Sequence, residues 1–220
     1  LNNAGNSFSG ALTIKDGIIS TATLADGGQP CAIGLGTQIA LGQNAPYNTT
    51  GTLQFTGAAG GSSDRAIRIL SANSSTYGGK IENTVAGQTL TLSGPVTVDS
   101  GASKPAPLWL TGAGNGVLSG PSAAGLRLVK TGSGTWTLSG ANANTGSVTV
   151  SAGTLLLTST LPAESAVSVH AGATFGGSGT VSGLVSVAAG GILSPGIAGV
   201  GFLSLANTGS AALTLTGGRL

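Results

Sequence analysis

The sequence is poor in charge. Only 6% of its 220 residues are Asp, Glu, Lys or Arg, against roughly 25% in average soluble domains. Hydrophobic residues make up 40%, whereas disordered chains combine low hydrophobicity with high charge. The net charge of +2 rests on eight basic and six acidic residues, and no run of five Lys or Arg occurs. This pattern argues against a nucleic-acid partner.

Cysteine and methionine are almost absent. The single cysteine, Cys31, excludes an internal disulfide framework and a CxxC metal site. It is interpreted either as a buried small apolar side chain or as a thiol that pairs with another molecule. The chain has no Met and begins at Leu1, so we expect a processed product or a piece of a longer protein. No signal peptide is visible, which does not argue against secretion. No uncharged apolar run long enough to span a bilayer occurs, so we expect no membrane insertion by this segment.

Strong helix formers are also scarce, whereas Gly accounts for 40 residues and β-branched residues are frequent. The glycines show no third-residue period, which excludes collagen. What recurs is a triplet in which two apolar residues flank a third residue, the pattern of a short strand with one face toward a core. These triplets predict an all-β fold, and they lie at 12–14, 53–55, 67–69, 90–92, 96–98, 108–110, 126–128, 148–150, 167–169, 185–187, 203–205 and 213–215.

An internal repeat indicates how the strands are arranged. The segments 147–153, 166–172 and 184–190 share a pair of Val residues and a final Gly, and they follow one another at intervals of 19 and 18 residues. Hairpins in a sandwich do not explain why the same register and the same Gly return. The spacing predicts a parallel β-helix (β-solenoid) with coils of about 18–20 residues. At roughly 4.8 Å per coil, 11 or 12 coils give a rod roughly 55 Å long.

A longer repeat links the two halves of the chain. Residues 6–17 match residues 142–153. We interpret residues 1–19 as a partial copy of a unit that is more complete near residue 126. Neither end shows a polar capping repeat, so we expect both ends to lie within the array.

Residues 125–157 read GLRLVKTGSGTWTLSGANANTGSVTVSAGTLLL. This stretch resembles the autotransporter-associated β-strand repeat, also called the passenger-associated transport repeat. It departs from the family pattern at Asn144, where an aromatic residue is usual; the first copy has Phe8 there. Weaker resemblances cover 51–57 with 64–65, and 176–205. The resemblance implies a right-handed parallel β-helix over residues 1–220, part of a longer passenger. It also implies a secreted protein on the bacterial surface, attached to the outer membrane through other regions, and a scaffold rather than a catalyst.

The acidic residues do not predict a catalytic pair. Polysaccharide-cleaving β-helices need clustered carboxylates for acid–base chemistry or for Ca²⁺. In the repeat alignment Asp16 corresponds to alanines, so no carboxylate stacks on it. The most site-like cluster is Asp64 with Arg65 and Arg68, and we interpret it as a structural turn bridged by an ion pair. We therefore predict no enzyme, and no catalytic, cofactor-binding or metal-binding residue. The six acidic residues are Asp16, Asp26, Asp64, Glu82, Asp99 and Glu164.

Other polar and aromatic residues are assigned by their phase within strands. We expect His170 to be exposed, because it occupies a variable outward slot. Trp109 alternates with Leu108 and Leu110 and is predicted to face outward, whereas Trp136 is in phase with Leu138 and is predicted to face the core. An exposed Trp109 either stacks on a sugar ring, packs on a neighbouring chain or is covered by a loop. Four lysines are assigned to solvated turns: Lys15, Lys80, Lys104 and Lys130.

Two less regular segments, 40–50 and 71–80, contain Tyr47 and Tyr77 and are predicted to be loops that leave the rod. Asn48 and Asn73 begin glycosylation sequons by pattern, and such matches arise by chance in chains rich in Ser and Thr. The leading functional hypothesis is a non-catalytic structural β-solenoid that forms a stalk, fibre or matrix, including by head-to-tail stacking of copies. The alternative is an adhesin that binds glycans or a host surface through side loops and exposed aromatics.

Overall fold

The computed structural model describes residues 1, 3–70, 76–99, 104–197, 199, 201–209 and 211–220. Within these ranges the protein contains 23 strands and no helix, so no helix here is long enough to cross a membrane. Every pairing between these strands is parallel. The predicted all-β parallel β-helix is confirmed.

The strands stack in three columns, and most coils contribute one strand, or a short bridge, to each column in turn. The exception is the first coil, whose segment 22–37 has no strand in the third column. The first column is interrupted midway, where isolated parallel bridges at Ser122 and Asn142 replace strands. Its strands are β1 (Leu12–Ile14), β3 (Gln38–Leu41), β6 (Ala66–Ile69), β9 (Val96–Val98), β16 (Thr160–Leu161), β19 (Thr180–Val181) and β22 (Ser204–Leu205).

The second column is a continuous nine-stranded sheet, called the second sheet below. Its strands are β2 (Gly17–Thr21), β4 (Gly51–Phe55), β7 (Gly79–Asn83), β10 (Ala106–Thr111), β12 (Leu126–Lys130), β14 (Val148–Val150), β17 (Val167–Val169), β20 (Val185–Val187) and β23 (Leu213–Leu215). The third column contains β5 (Gly61–Ser63), β8 (Thr89–Leu92), β11 (Asn115–Leu118), β13 (Thr135–Leu138), β15 (Gly153–Leu157), β18 (Ala173–Gly177) and β21 (Ile192–Pro195). Together the described residues form nine coils.

The coil length is not uniform. From β10 to β20 the register partners in the second sheet recur at the interval predicted for one coil; they are Leu108, Leu128, Val148, Val167 and Val185. On the N-terminal side the interval is much longer, since Gly17 is the register partner of Gly51. The predicted count of 11 or 12 coils is therefore wrong, because the N-terminal coils and the last one carry longer connections. Eight intervals of roughly 4.8 Å give a stack about 38 Å long rather than about 55 Å.

The core is made of inward-facing aliphatic ladders. In the second sheet one ladder runs through the register partners Leu53, Ile81 and Leu110, each of them fully buried. Each buried side chain of this kind contributes about 1.5–3 kcal/mol of hydrophobic stabilisation. The alternating positions form the outer ladder, which has one residue in each coil. Its members are Ile18, Thr52, Lys80, Trp109, Val129, Thr149, Ser168, Ser186 and Thr214.

The segments 6–17 and 142–153 share a strand–glycine–strand pattern but occupy different places in the coil. Strands β1 and β2 belong to the first and second columns, whereas β14 and β15 belong to the second and third. Gly17 and Gly153 both have positive φ, at 76° and 65°, which explains why the same Gly recurs at the corner. The prediction that Asp16 stacks in line with the alanines of the repeat alignment is therefore wrong.

Candidate functional site

The structure places two acidic residues near each other that the repeat alignment did not align. Asp26 and Asp64 lie at the same corner of neighbouring coils. The Asp64 amide N–H donates to Asp26 Oδ1 at 3.0 Å, and the Gly27 amide N–H donates to Asp64 Oδ1 at 2.7 Å. Each carboxylate thus accepts from the backbone of the adjacent coil. Their geometry ties the first coil to the second, in the way that an Asp caps a turn.

Arg65 does not form the expected ion pair with Asp64. Its side chain is buried, and its guanidinium donates to backbone carbonyls of the segment 22–37, which connects β2 to β3. Nε donates to Ala25 O at 2.9 Å, and Nη2 donates to Gly34 O at 2.7 Å. Further acceptors are the carbonyls of Gly36, Asp26 and Gln29. A planar guanidinium with five N–H groups suits this role, because it serves several acceptors at once.

Cys31 lies in the same pocket. Its side chain is buried, with Sγ 3.4 Å from Gly34 O and 3.4 Å from Arg65 Nη2. Of its two interpretations, the structure favours the small buried side chain. In this fold the thiol is not accessible to another chain.

Among the described residues, one ion pair is present. It joins Arg68 to Asp99, with Arg68 Nη2 and Asp99 Oδ1 2.6 Å apart. Asp99 also accepts from Asn44 Nδ2 at 3.0 Å through its other oxygen. Arg68, Asn44 and Asp99 come from three different coils. The carboxylate therefore fastens the loop that holds Asn44 across the intervening coil.

The remaining acidic residues are apart from one another. Asp16 accepts from the N–H of Gly17, and Glu82 accepts from Gln54 Nε2 on the neighbouring strand at 2.8 Å. Glu164 is exposed. His170 is exposed as predicted, and it borders a groove of about 330 Å³ lined largely by Ser, Val and Ala side chains. Across the described ranges no three His, Cys, Asp or Glu residues are placed to hold a metal ion.

Lys130 is not in a solvated turn, and this expectation is wrong. It follows Leu126 and Leu128 at alternate positions, and its register partners are Leu110 and Val150 in an inward ladder. Its ammonium group reaches the corner and donates to the carbonyls of Thr131 at 2.7 Å, Gly132 at 2.8 Å and Ala152 at 3.1 Å. Burial lowers the pKa of Lys130 from 10.5 to about 8, because desolvation disfavours the charged form.

Asn144, the departure from the family pattern, is completely buried and hydrogen-bonded to the next coil. Its Nδ2 donates to Ser165 Oγ at 2.6 Å, and Ser165 Oγ donates to Asn144 O at 2.6 Å. A polar pair thus fills the place that the family pattern gives to an aromatic side chain. The alternation of the sequence did not indicate this pairing, because neither residue lies on a strand.

Both tryptophans are oriented as predicted. Trp136 is fully buried in β13, whereas Trp109 is half-buried on the outer ladder between the buried Leu108 and Leu110. Trp109 lies in register with Lys80 on one side and Val129 on the other. The half-buried Trp109 side chain is therefore on the strand next to that of Lys80, at the same register position.

The connections between the first and second columns differ in length from coil to coil. They are long at 42–50, 70–78 and 99–105, of which residues 42–50, 70, 76–78, 99 and 104–105 are described, and they are shorter in later coils, such as 162–166. Parts of the predicted loops 40–50 and 71–80 are in strands, since β3 ends at Leu41 and β7 begins at Gly79. Residues 71–75, including the Asn73 sequon, lie outside the described residues. Tyr47 is 71% exposed and Tyr77 is 44% exposed.

A cleft of about 400 Å³ opens on the second sheet beside these loops, and we call it the Trp109 cleft. It is lined by Thr50, Thr76, Lys80, Trp109 and Thr131. In the part of the chain that the structure describes, the Lys80 ammonium group forms no ion pair. The cleft therefore combines a half-buried aromatic side chain, hydroxyl groups and a positive charge.

Comparison with known proteins agrees with the sequence resemblance. Residues 128–157 match the passenger-associated transport repeat family. No curated protein and no solved structure matches the chain. The matched residues run from Leu128 in β12 to Leu157 in β15 and include the buried Lys130, Trp136 and Asn144. The chain thus contains a repeat of the autotransporter passenger type, the passenger-associated transport repeat, at residues 128–157.

Proposed function

We propose that this chain is a non-catalytic structural module of a secreted bacterial surface protein, which it extends as part of a stalk, fibre or matrix. The observation that carries the proposal is the continuous second sheet. Nine strands from β2 to β23 pair in parallel, so every coil rests on the one before it. In such a stack length grows with coil number, because each repeat contacts only its neighbours.

The exterior supports a mechanical role. Polar uncharged side chains are frequent at the outward positions, and charged residues are only 6% of the chain. Such a surface is hydrated without strong fields, so neighbouring copies neither repel nor attract one another at long range. The acidic side chains for which contacts are described serve backbone N–H groups, an amide or one ion pair. These assignments favour a scaffold over a hydrolase.

The ends of the second sheet support head-to-tail stacking as a finer hypothesis. Among the described residues, β2 and β23 each pair on one side only, and all strands of the second sheet run in the same direction. The β2 edge of one copy therefore has the direction needed to pair with the β23 edge of another. Leu215 on β23 is 41% exposed, so such a contact also buries apolar surface. A heterologous contact of this kind builds filaments rather than closed oligomers.

Two experiments test this proposal. An antibody raised against the folded chain should label intact cells of the bacterium that produces it, whereas labelling only after lysis contradicts a surface role. Electron microscopy and sedimentation over a concentration series test stacking. Filaments with a repeat along the axis of about 4.8 Å support it, and single short rods at all concentrations contradict it. Leu215→Lys is the matched variant, since it places a charge at the proposed contact.

The second candidate function is adhesion through the side of the rod. A specific observation favours it, namely the Trp109 cleft, whose lining includes Thr50 and Thr76 from two of the long connections. A stalk needs no such cleft.

A further inference from the structure

Three of the five aromatic side chains that are not buried lie around one corner of the coils, and the other two are Phe8 and Phe202. The chain has two Trp and two Tyr. Tyr47 and Tyr77 lie on two of the three loops at the corner, and Trp109 is on the strand that follows the third. Trp136, by contrast, is buried in the core. Aromatic side chains offer large contact area at little cost in conformational entropy.

The corner is held by contacts between coils. The loop 42–50 is closed on itself by hydrogen bonds between Gln43 and Thr49, in which Thr49 N donates to Gln43 O at 3.2 Å. Asn44 in the same loop donates to Asp99 two coils away, and Asp99 is also bound by Arg68. These contacts fix the rim before a ligand arrives, which lowers the entropic cost of binding.

The lining of the cleft contains one charged side chain, Lys80, and no carboxylate. Lys104, five positions before Trp109 in the chain, is exposed and is not among the lining residues. Neither ammonium group forms an ion pair within the described ranges, whereas Asp99 is occupied by Arg68. Glu82 lies two positions along β7 from Lys80, and its carboxylate accepts a hydrogen bond from the neutral amide of Gln54 and is outside the lining. The lining therefore favours a ligand that can stack on an indole and place a negatively charged group on Lys80.

We propose that the Trp109 cleft binds a saccharide that carries a carboxylate, such as a hexuronate unit of an acidic polysaccharide. The apolar C–H face of the pyranose stacks on the indole of Trp109. The carboxylate pairs with the Lys80 ammonium on the adjacent rung, about 4.8 Å away along the rod. Thr50 and Thr131 supply hydroxyl groups for the sugar hydroxyls. A cleft of about 400 Å³ lies within the usual range of roughly 300–1,000 Å³ for small-ligand sites.

This assignment rests on the second candidate function and not on the structural role. Filament formation and cell-surface labelling test the structural role alone. Direct binding of a small saccharide tests the cleft alone, so the two proposals fail independently.

The experiment is a nuclear magnetic resonance titration of the ¹⁵N-labelled chain. The two tryptophans give two indole N–H signals, and Trp109→Phe identifies which one belongs to Trp109. The probes are cellobiuronic acid, a disaccharide with one glucuronate, and cellobiose, its neutral counterpart. We expect the Trp109 signal to shift with the acid, the Trp136 signal to stay, and the neutral sugar to bind at least about tenfold more weakly.

Variants separate stacking from charge. Trp109→Ala should abolish binding of both sugars, while Lys80→Gln should lower the affinity for the acid to that for cellobiose. Lys15→Gln and Phe202→Ala are the matched controls, because both residues are exposed and outside the cleft lining. Circular dichroism confirms that each variant is folded. An unmoved Trp109 signal at about 10 mM acid, or equal affinity for the two sugars, overturns the proposal.

Discussion

Gly116 lies directly against the indole ring of Trp136 on the neighbouring strand. The two residues are register partners, and a Cβ atom added to Gly116 would come within 2.4 Å of a ring carbon of Trp136. Both residues are buried in the third column. The absence of a side chain at Gly116 is therefore what admits the largest side chain of the core.

This contact predicts that Gly116→Ala destabilises the fold by about 1–3 kcal/mol, because the methyl group overpacks the core. Urea unfolding followed by circular dichroism measures the change. Gly10→Ala is the control, since nothing lies within 4 Å of a Cβ there. Adding Trp136→Leu to Gly116→Ala should recover part of the loss relative to the sum of the single changes. Equal stability of the two alanine variants would show that this packing is wrong.

Arg65 is predicted to hold the segment 22–37 on the rod. Arg65→Met removes the donors from several buried carbonyls and should cost more than about 2 kcal/mol. Arg68→Gln is the control, because its ion pair with Asp99 involves an exposed side chain and is worth at most about 1 kcal/mol. Limited proteolysis should cleave within 22–37 in the Met variant first. Similar losses in both variants contradict the role assigned to Arg65.

The pKa of Lys130 gives the protein a specific pH dependence. The pKa is about 8 in the folded state and 10.5 in the unfolded chain. Between these values the unfolded chain keeps a proton that the folded protein has released, so the free energy of unfolding rises with pH. The gain is complete above about pH 10.5 and is at most about 3 kcal/mol.

Urea unfolding of the wild type and of Lys130→Met at pH 7, 9 and 10.5 isolates this effect. The difference in unfolding free energy between the two proteins should shift in favour of the wild type as the pH rises. The Met variant retains every other titrating group and serves as the reference. A difference that is constant with pH contradicts the lowered pKa.

The buried hydrogen bonds between Asn144 and Ser165 predict that a polar side chain at position 165 is needed for the stability of the contact between the two coils. Ser165→Ala removes the shorter of the two hydrogen bonds that the Asn144 amide donates, leaves the one to Gly146 O at 3.3 Å, and should cost about 1–3 kcal/mol. Ser168→Ala, on the half-buried outer face of β17, should change stability by less than about 0.5 kcal/mol. Thermal unfolding compares the two. If both substitutions are neutral, the pair does not contribute to the contact between coils.

The alternation of apolar and polar residues explains most of what could be predicted about the fold from the sequence. All twelve apolar triplets lie wholly or partly on strands. Alternation of apolar and polar residues indicates both that a segment is a strand and which of its faces is buried. The same alternation, continued to Lys130, predicts that its side chain points inward with those of Leu126 and Leu128. Its assignment to a turn followed from its charge alone, and the carbonyls that make its burial tolerable come from two successive corners.

What sequence reasoning missed depends on register between coils of unequal length. Asp26 and Asp64 are 38 residues apart, and Asn44 and Asp99 are 55 residues apart. A prediction that assumes one constant coil length places neither pair of residues in contact. The loops at 42–50 and 70–78 lengthen the N-terminal coils, and only the three-dimensional stacking shows which corners coincide. The Trp109 cleft belongs to this class, since its lining residues come from four coils.

The central claim, a stack of nine coils whose length follows coil number, is best tested by a distance between its ends. Ile18 and Thr214 are the first and last members of the outer ladder, and both are exposed. Spin labels at Ile18→Cys and Thr214→Cys, with Cys31→Ala, report their separation by pulsed electron paramagnetic resonance. We predict about 38 Å, rising by about 4.8 Å when residues 148–166, one full coil, are duplicated. A separation that does not change with the added coil contradicts the account.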